Sequence, residues 1–95
     1  LIDAMTNLKR GELIHVLWWF SEAPRDILKN YVNEDDFETG VFAMRSPHRP
    51  NPIALSLCEV KDISNNIITV RGIEALDGSP ILDIKKAIIR DGVIL

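Results

Sequence analysis

The sequence predicts an all-β domain, a small antiparallel β-barrel with at most one short helix. Three observations carry that reading. Short runs rich in Ile, Val and aromatic residues recur along the chain, pairs of Gly, Pro, Asn and Asp separate them, and only one brief stretch has helical spacing. Barrels of this kind are built from many short strands joined by turns. At 95 residues the chain is a single domain with room for one modest core.

The first strand is predicted at residues 13–20, LIHVLWWF. It is β-branched and aromatic, Gly11 precedes it, and Ser21 with Pro24 follows, so it reads as a strand buried on both faces. Residues 24–32 open with a proline suited to a first helical turn and place Ile27, Leu28 and Tyr31 on one side, which predicts the short helix. Glu34, Asp35, Asp36 and Glu38 form an acidic stretch that reads as a solvated loop. After Gly40, residues 41–45 read as a short strand running into SPHRPNP. Residues 53–60 alternate Ile53, Leu55 and Leu57 with Ala54, Ser56 and Cys58, the period of a strand with one face in the core. The polar KDISNN at 61–66 is turn chemistry, and residues 67–73 return as the second arm of a hairpin. Asp77-Gly78-Ser79-Pro80 makes another turn before a strand at 81–84, and Asp91-Gly92 marks a third.

Composition excludes several classes. Eleven basic against fourteen acidic residues leave a net charge of −3, so the chain is no polycation and any polyanion must meet a local basic patch. Cys58 is the only cysteine, which forbids an internal disulfide and a Cys-rich zinc site and points to a reducing compartment, the cytoplasm. The longest apolar stretch, at 13–20, is far below the roughly 20 residues of a membrane-spanning helix. His15 sits within it and reads as a hydrogen-bonded structural residue, since no His or carboxylate lies at ligand spacing. No metal site is expected.

The chemistry concentrates where three of the five prolines, Pro47, Pro50 and Pro52, fall within six residues. Each fixes its own φ and pushes Ser46, Arg49 and Asn51 toward extended backbone. Arg45, His48, Arg49 and Asn51 therefore ride on a stiff segment whose ordering cost is largely met before folding. Two readings follow from residue types. Two guanidinium forks and an imidazole suit a phosphate, a carboxylate or a stacked base; a proline-rich loop with arginines paired to the acidic stretch suits the same residues. The DGSP turn at 77–80 offers backbone N–H groups, a hydroxyl and an unshielded Gly78 to a ligand, and serves equally as a plain turn. Trp18 and Trp19, adjacent on a strand, point to opposite faces, one into the core and the other toward an interface or a ring. Cys58 reads as a small buried hydrophobe.

The run at 40–56, GVFAMRSPHRPNPIALS, followed by LDGSPILDIK at 76–85, closely resembles the TsaA-like family of tRNA methyltransferases, whose signature reads approximately GVFATRSPHRPNPIGLS and LDGTPVLDIKPY. Residues 13–20 also resemble the family's hydrophobic strand, so the likeness covers most of the chain. It implies a small β-barrel, usually a homodimer, that binds S-adenosylmethionine and methylates N6 of threonylcarbamoyladenosine beside the anticodon of a tRNA. By the same resemblance Arg45, Leu55, Asp77, Gly78, Ser79 and Pro80 line the cofactor site, and Ser21 and Glu22 occupy the family's further contact after the hydrophobic strand. His48, Arg49 and Asn51 are assigned to RNA or to bracing the loop, and Asp77, Asp83 and His48 are the candidates for taking a proton from the acceptor. The catalytic residue itself stays unassigned.

The departures are Met44 for Thr, Ala54 for Gly, Ser79 for Thr and Lys86 for Pro, with Ala54 adding a methyl where backbone approaches closely. The family's N-terminal strand and its Pro-Arg-Gln motif have no counterpart, so residues 1–95 are expected to form the TsaA-like domain without that strand. The extra C-terminal domain of some relatives is also missing from the match. A noncatalytic module that binds RNA or the cofactor is the rival expectation.

Overall fold

In the computed structural model, which describes residues 2–20, 29–31, 38–45 and 48–95, the spine of the molecule is β1 (Leu13–Trp19). It pairs antiparallel with β4 (Ile53–Ser64) on one side and β6 (Ile81–Lys86) on the other, and β5 (Ile67–Arg71) completes the order β5, β4, β1, β6. Two small hairpins stand apart from this sheet: β2 (Lys29–Tyr31) with β3 (Glu38–Gly40), and β7 (Ile89–Arg90) with β8 (Val93–Ile94). The all-β class holds. Among the described residues the sheet is open, with β5 and β6 as its edges. No helix there is long and apolar enough to cross a membrane.

The core sits on one face of β1. Ile14, Val16 and Trp18 are buried, whereas Leu13, His15, Leu17 and Trp19 are half-buried, which corrects the reading of a strand buried on both faces. The register explains the choice made by β4. Bulky Ile14, Val16 and Trp18 face Cys58, Ser56 and Ala54, so the small side chains of β4 turn inward and large meets small across the ladder. Ile53, Leu55 and Leu57 turn outward and remain more than two-fifths exposed. Cys58 is buried as expected, and burial pushes its thiol pKa up from the ordinary 9.0.

Other expectations are corrected. β4 continues through Lys61-Asp62-Ile63-Ser64 with a register shift between Val60 and Asp62, so the turn is confined to Asn65 and Asn66, Asn65 taking φ +57°. Lys61 and Ile63 are half-buried between exposed Asp62 and Ser64; a polar segment can thus extend a strand when its polar residues fall on the wet face. Lys29–Tyr31, the described end of the predicted helix at 24–32, is strand, because it pairs with Glu38–Gly40. The rest of that segment and the acidic Glu34, Asp35 and Asp36 lie outside the described residues. Residues 41–45, read as a strand, begin with a 3-10 turn, Val41–Ala43, closed by Met44 N–H donating to the Val41 carbonyl at 3.2 Å. The turn buries Val41 and exposes Phe42. The Asp91-Gly92 turn is as expected, with φ +53° and +78°, the hand a two-residue hairpin requires.

Candidate functional site

The two motifs meet at one end of β1. Trp19 N–H donates to the Pro80 carbonyl at 3.0 Å, and Phe20 N–H donates to the Pro52 carbonyl at 2.8 Å. Proline cannot donate, but its carbonyl accepts, so each motif ends by capping the central strand from opposite sides. Segments far apart in sequence are therefore brought together because β4 and β6 both start beside the place where β1 stops.

The pairing of β4 leaves a second opening. β5 engages β4 only from Glu59 onward, so among the described residues the outer edge of β4 over Ile53 to Leu57 faces no partner strand. There Arg45 Nη2 donates to the Leu55 carbonyl at 3.2 Å. Arg49 Nη1 donates to the Met44 carbonyl at 3.1 Å, folding the basic segment onto the end of the 3-10 turn. Between this edge and the turn lies a cleft of about 600 Å³. Arg45, Arg49, Asn51 and Leu55 line it, together with Trp18, Phe20, Phe42, Ser56 and Glu74. That size is usual for a small-molecule site.

The cleft has an aromatic wall and a charged rim. Trp18 and Phe20 stand 5.6 Å apart between ring centres, tilted by 37°, and Trp18 Nε1–H donates to Ser56 Oγ at 3.0 Å, which fixes the indole. Two guanidiniums oppose one carboxylate, Glu74, which makes no hydrogen bond or ion pair among the described residues. Such a lining offers bidentate donors for an anionic group, faces for a ring, and one acceptor for an amine or hydroxyl.

Of the residues singled out from the sequence, the structure brings Arg45, Leu55, Arg49 and Asn51 into the cleft. Asp77, Gly78, Ser79 and Pro80 stand at the same end of the sheet but do not line it; their turn is closed by Ser79, whose N–H and Oγ–H both reach the Leu76 carbonyl, at 3.0 and 2.7 Å. His48 is exposed beside Arg49 and Asp83 lies on β6, its carboxylate accepting Ile84 N–H at 2.8 Å and facing Lys85 at 3.7 Å; neither lines the cleft. Ser21, Glu22, Ser46 and Pro47 lie outside the described residues. Among the described residues His15 Nδ1 is buried without a hydrogen-bond partner, contrary to the reading of that side chain as hydrogen-bonded. Among the described residues no group of three or more His, Cys, Asp or Glu side chains is placed to hold a metal ion.

Sequence reasoning missed Trp18, Phe20, Phe42 and Glu74 as cleft residues. Phe42 had a signal in its position three residues before Arg45, but Glu74 had none beyond nearness to the 77–80 turn.

Residues 1–90 match the family model described as the tRNA-methyltransferase O N-terminal domain. The chain is 43% identical over 84 residues to an S-adenosyl-L-methionine-binding protein of Archaeoglobus fulgidus, covering 88% of this chain and 60% of that protein. It is 42% identical over 82 residues to the probable S-adenosyl-L-methionine-binding protein VirR of Rhizobium radiobacter, covering 86% of this chain and 47% of the relative. A tRNA (adenine(37)-N6)-methyltransferase of Mus musculus shares 46% identity over 48 residues, half of this chain and 11% of the mouse protein. The crystal structure of TrmO from P. aeruginosa superposes with a TM-score of 0.68 at 32% identity, over 92% of this chain and 35% of that one. The chain thus spans between about a tenth and three-fifths of the length of these relatives.

Proposed function

This chain belongs to the tRNA-methyltransferase O N-terminal domain family, and from that premise we propose that it binds S-adenosylmethionine and transfers its methyl group to N6 of an adenosine in tRNA. The acceptor in this reading is threonylcarbamoyladenosine beside the anticodon, and the protein works as a homodimer in the cytoplasm, residues 1–95 acting as one TsaA-like domain. One observation carries the proposal: Arg45 and Leu55 share a cleft with an aromatic wall, at the end of the sheet where the DGSP turn also arrives. The donor set fits the cofactor. Arg45 spends one N–H on Leu55 and keeps the rest of its fork for the carboxylate of a methionine moiety, while Trp18 and Phe20 offer ring faces to an adenine.

S-adenosylmethionine, when bound, supplies an electrophilic methyl on a sulfonium centre. The chain's part is to align the acceptor, since positioning alone removes much of such a barrier, and to take the proton that the acceptor nitrogen loses. Asp83 is already engaged by Ile84 N–H and Lys85, and Asp77 and His48 are the other candidates for that proton. The outward Ile53, Leu55 and Leu57 form an apolar face of the kind a second copy covers, which supports the homodimer.

The test is incubation with methyl-labelled S-adenosylmethionine and tRNA bearing threonylcarbamoyladenosine. Label in the adenine supports the reading; a shifted RNA without label would assign the chain to the noncatalytic binding class. Calorimetry on Arg45→Ala adds a residue-level check. Loss of a charge-assisted contact of about 1.5–3 kcal/mol lowers cofactor affinity by roughly ten- to hundredfold. Unchanged affinity removes Arg45 from the site.

A further inference from the structure

Phe42 is the most exposed large apolar side chain among the described residues, at 93%. Its neighbour Val41 is buried at 5% and anchors the 3-10 turn, so Phe42 is held out in solvent by a fixed backbone. A lone exposed apolar residue is ordinary on a protein surface. Two further observations set this one apart. Phe42 lines the cleft, whose inner wall is Trp18 and Phe20. Arg49 donates to the carbonyl of Met44, the residue that ends the same turn, and its side chain lines the same cleft as the ring.

An exposed aromatic face and a cation lining one cleft form the pairing that binds an unstacked nucleotide: the ring takes the base and the guanidinium takes the adjoining phosphate. We propose that Phe42 is the stacking platform for the acceptor adenine of the RNA, with Arg49 on a flanking phosphate. The inference rests on the methyl-transfer reading above and deepens it by dividing the cleft into an inner wall for the cofactor and a rim for RNA. Burial assigns the two parts. Trp18 is 5% exposed and meets only what enters the cleft, whereas Phe42 meets what arrives from solvent. A base must leave its stack to be modified at N6, so a ring at the rim receives it on the way in.

The experiment uses an anticodon stem-loop carrying 2-aminopurine immediately 3′ of the anticodon, because stacking on an aromatic ring quenches that fluorophore. Wild type and Phe42→Tyr are expected to bind and quench. Phe42→Ala is expected to lose the quench and bind the stem-loop roughly five- to hundredfold more weakly, the usual range for a lost base–aromatic stack. Its affinity for S-adenosylmethionine by calorimetry falls by a smaller factor than its affinity for the stem-loop. At 93% exposure the substitution removes no core packing, and matching thermal melts confirm it. A quench retained in Phe42→Ala, a matching loss of cofactor affinity, or no binding of the stem-loop by wild type each overturns the platform. A wild type that quenches the probe yet transfers no methyl group to tRNA bearing threonylcarbamoyladenosine overturns the methyl-transfer reading and leaves the platform standing.

Discussion

Replacing Ser56 by alanine removes the acceptor of the Trp18 indole N–H and little else. The bond is 3.0 Å long and joins the two central strands, Ser56 lying opposite Val16, and Trp18 opposite Ala54. Two costs combine. A typical protein hydrogen bond contributes about 0.5–1.5 kcal/mol net, and a buried donor left without a partner costs about 1–3 kcal/mol. Trp18 is 5% exposed, so water reaches the indole poorly, but the residue lines a cleft and relief is partial. The expected destabilisation is therefore about 1–2 kcal/mol, and at about 4–8 °C per kcal/mol in a domain of this size the melting temperature falls by roughly 4–16 °C. Urea unfolding with linear extrapolation reads the free energy, and a cycle with Trp18→Phe isolates the pair from the volume lost with the indole. Because the bond also fixes one wall of the cleft, affinity for S-adenosylmethionine should fall with stability. The reasoning fails if Ser56→Ala matches wild type within about 0.5 kcal/mol, or if the two substitutions add within that margin.

The glycine after β5 is expected to resist substitution. Gly72 has φ +106°, and a Cβ there would meet the Leu57 carbonyl oxygen at 2.9 Å, so Gly72→Ala should cost more than about 1 kcal/mol. Gly40→Ala, at φ −63° with nothing within 4 Å of the added carbon, should be near neutral in the same unfolding assay, and equal effects at both positions would contradict the contact argument. Cys58 supplies a pH dependence. Its folded pKa is raised above the unfolded value by burial, so its contribution to stability is full below about pH 9.0 and is lost as pH rises from there through the folded value. Unfolding free energies between pH 8 and 11 should show this extra downward slope in wild type and not in Cys58→Ala; parallel curves would remove the effect.

What could be read from the sequence, and what could not, divides by range of interaction. The Asp91-Gly92 turn and the strands on either side of residues 61–66 were legible because local chemistry decides them: positive φ at two adjacent residues, β-branched alternation, asparagine in the left-handed region. The end of β4 was not, because KDISNN is turn-like as a string and becomes strand only where β5 offers a ladder to Asp62, Ile63 and Ser64. Lys29–Tyr31 behaves alike: its helical spacing is overridden by pairing with Glu38–Gly40. The inward turn of Ala54, Ser56 and Cys58 depends on the bulk of Ile14, Val16 and Trp18, which no inspection of residues 53–60 alone contains.

The site follows the same division. Arg45, Arg49 and Asn51 stood out because proline spacing makes a stiff basic segment, a local property, and the structure places all three in the cleft. Glu74 and Trp18 entered it through the long-range register of β1, β4 and β5, to which single-residue chemistry is blind. The relation between the two motifs has the same origin. The DGSP turn and the PNP segment converge because β1 is flanked by both β4 and β6, and the N–H groups of its last residue, Trp19, and of the following Phe20 go to Pro80 and Pro52. A change that shifts β6 by one residue along β1 would flip its side chains across the sheet and move residues 77–80 relative to Arg45, without altering any residue of either motif. The geometry that joins the motifs is thus held by backbone pairing of the central strand, and the motif residues supply chemistry to a place that strand has already fixed.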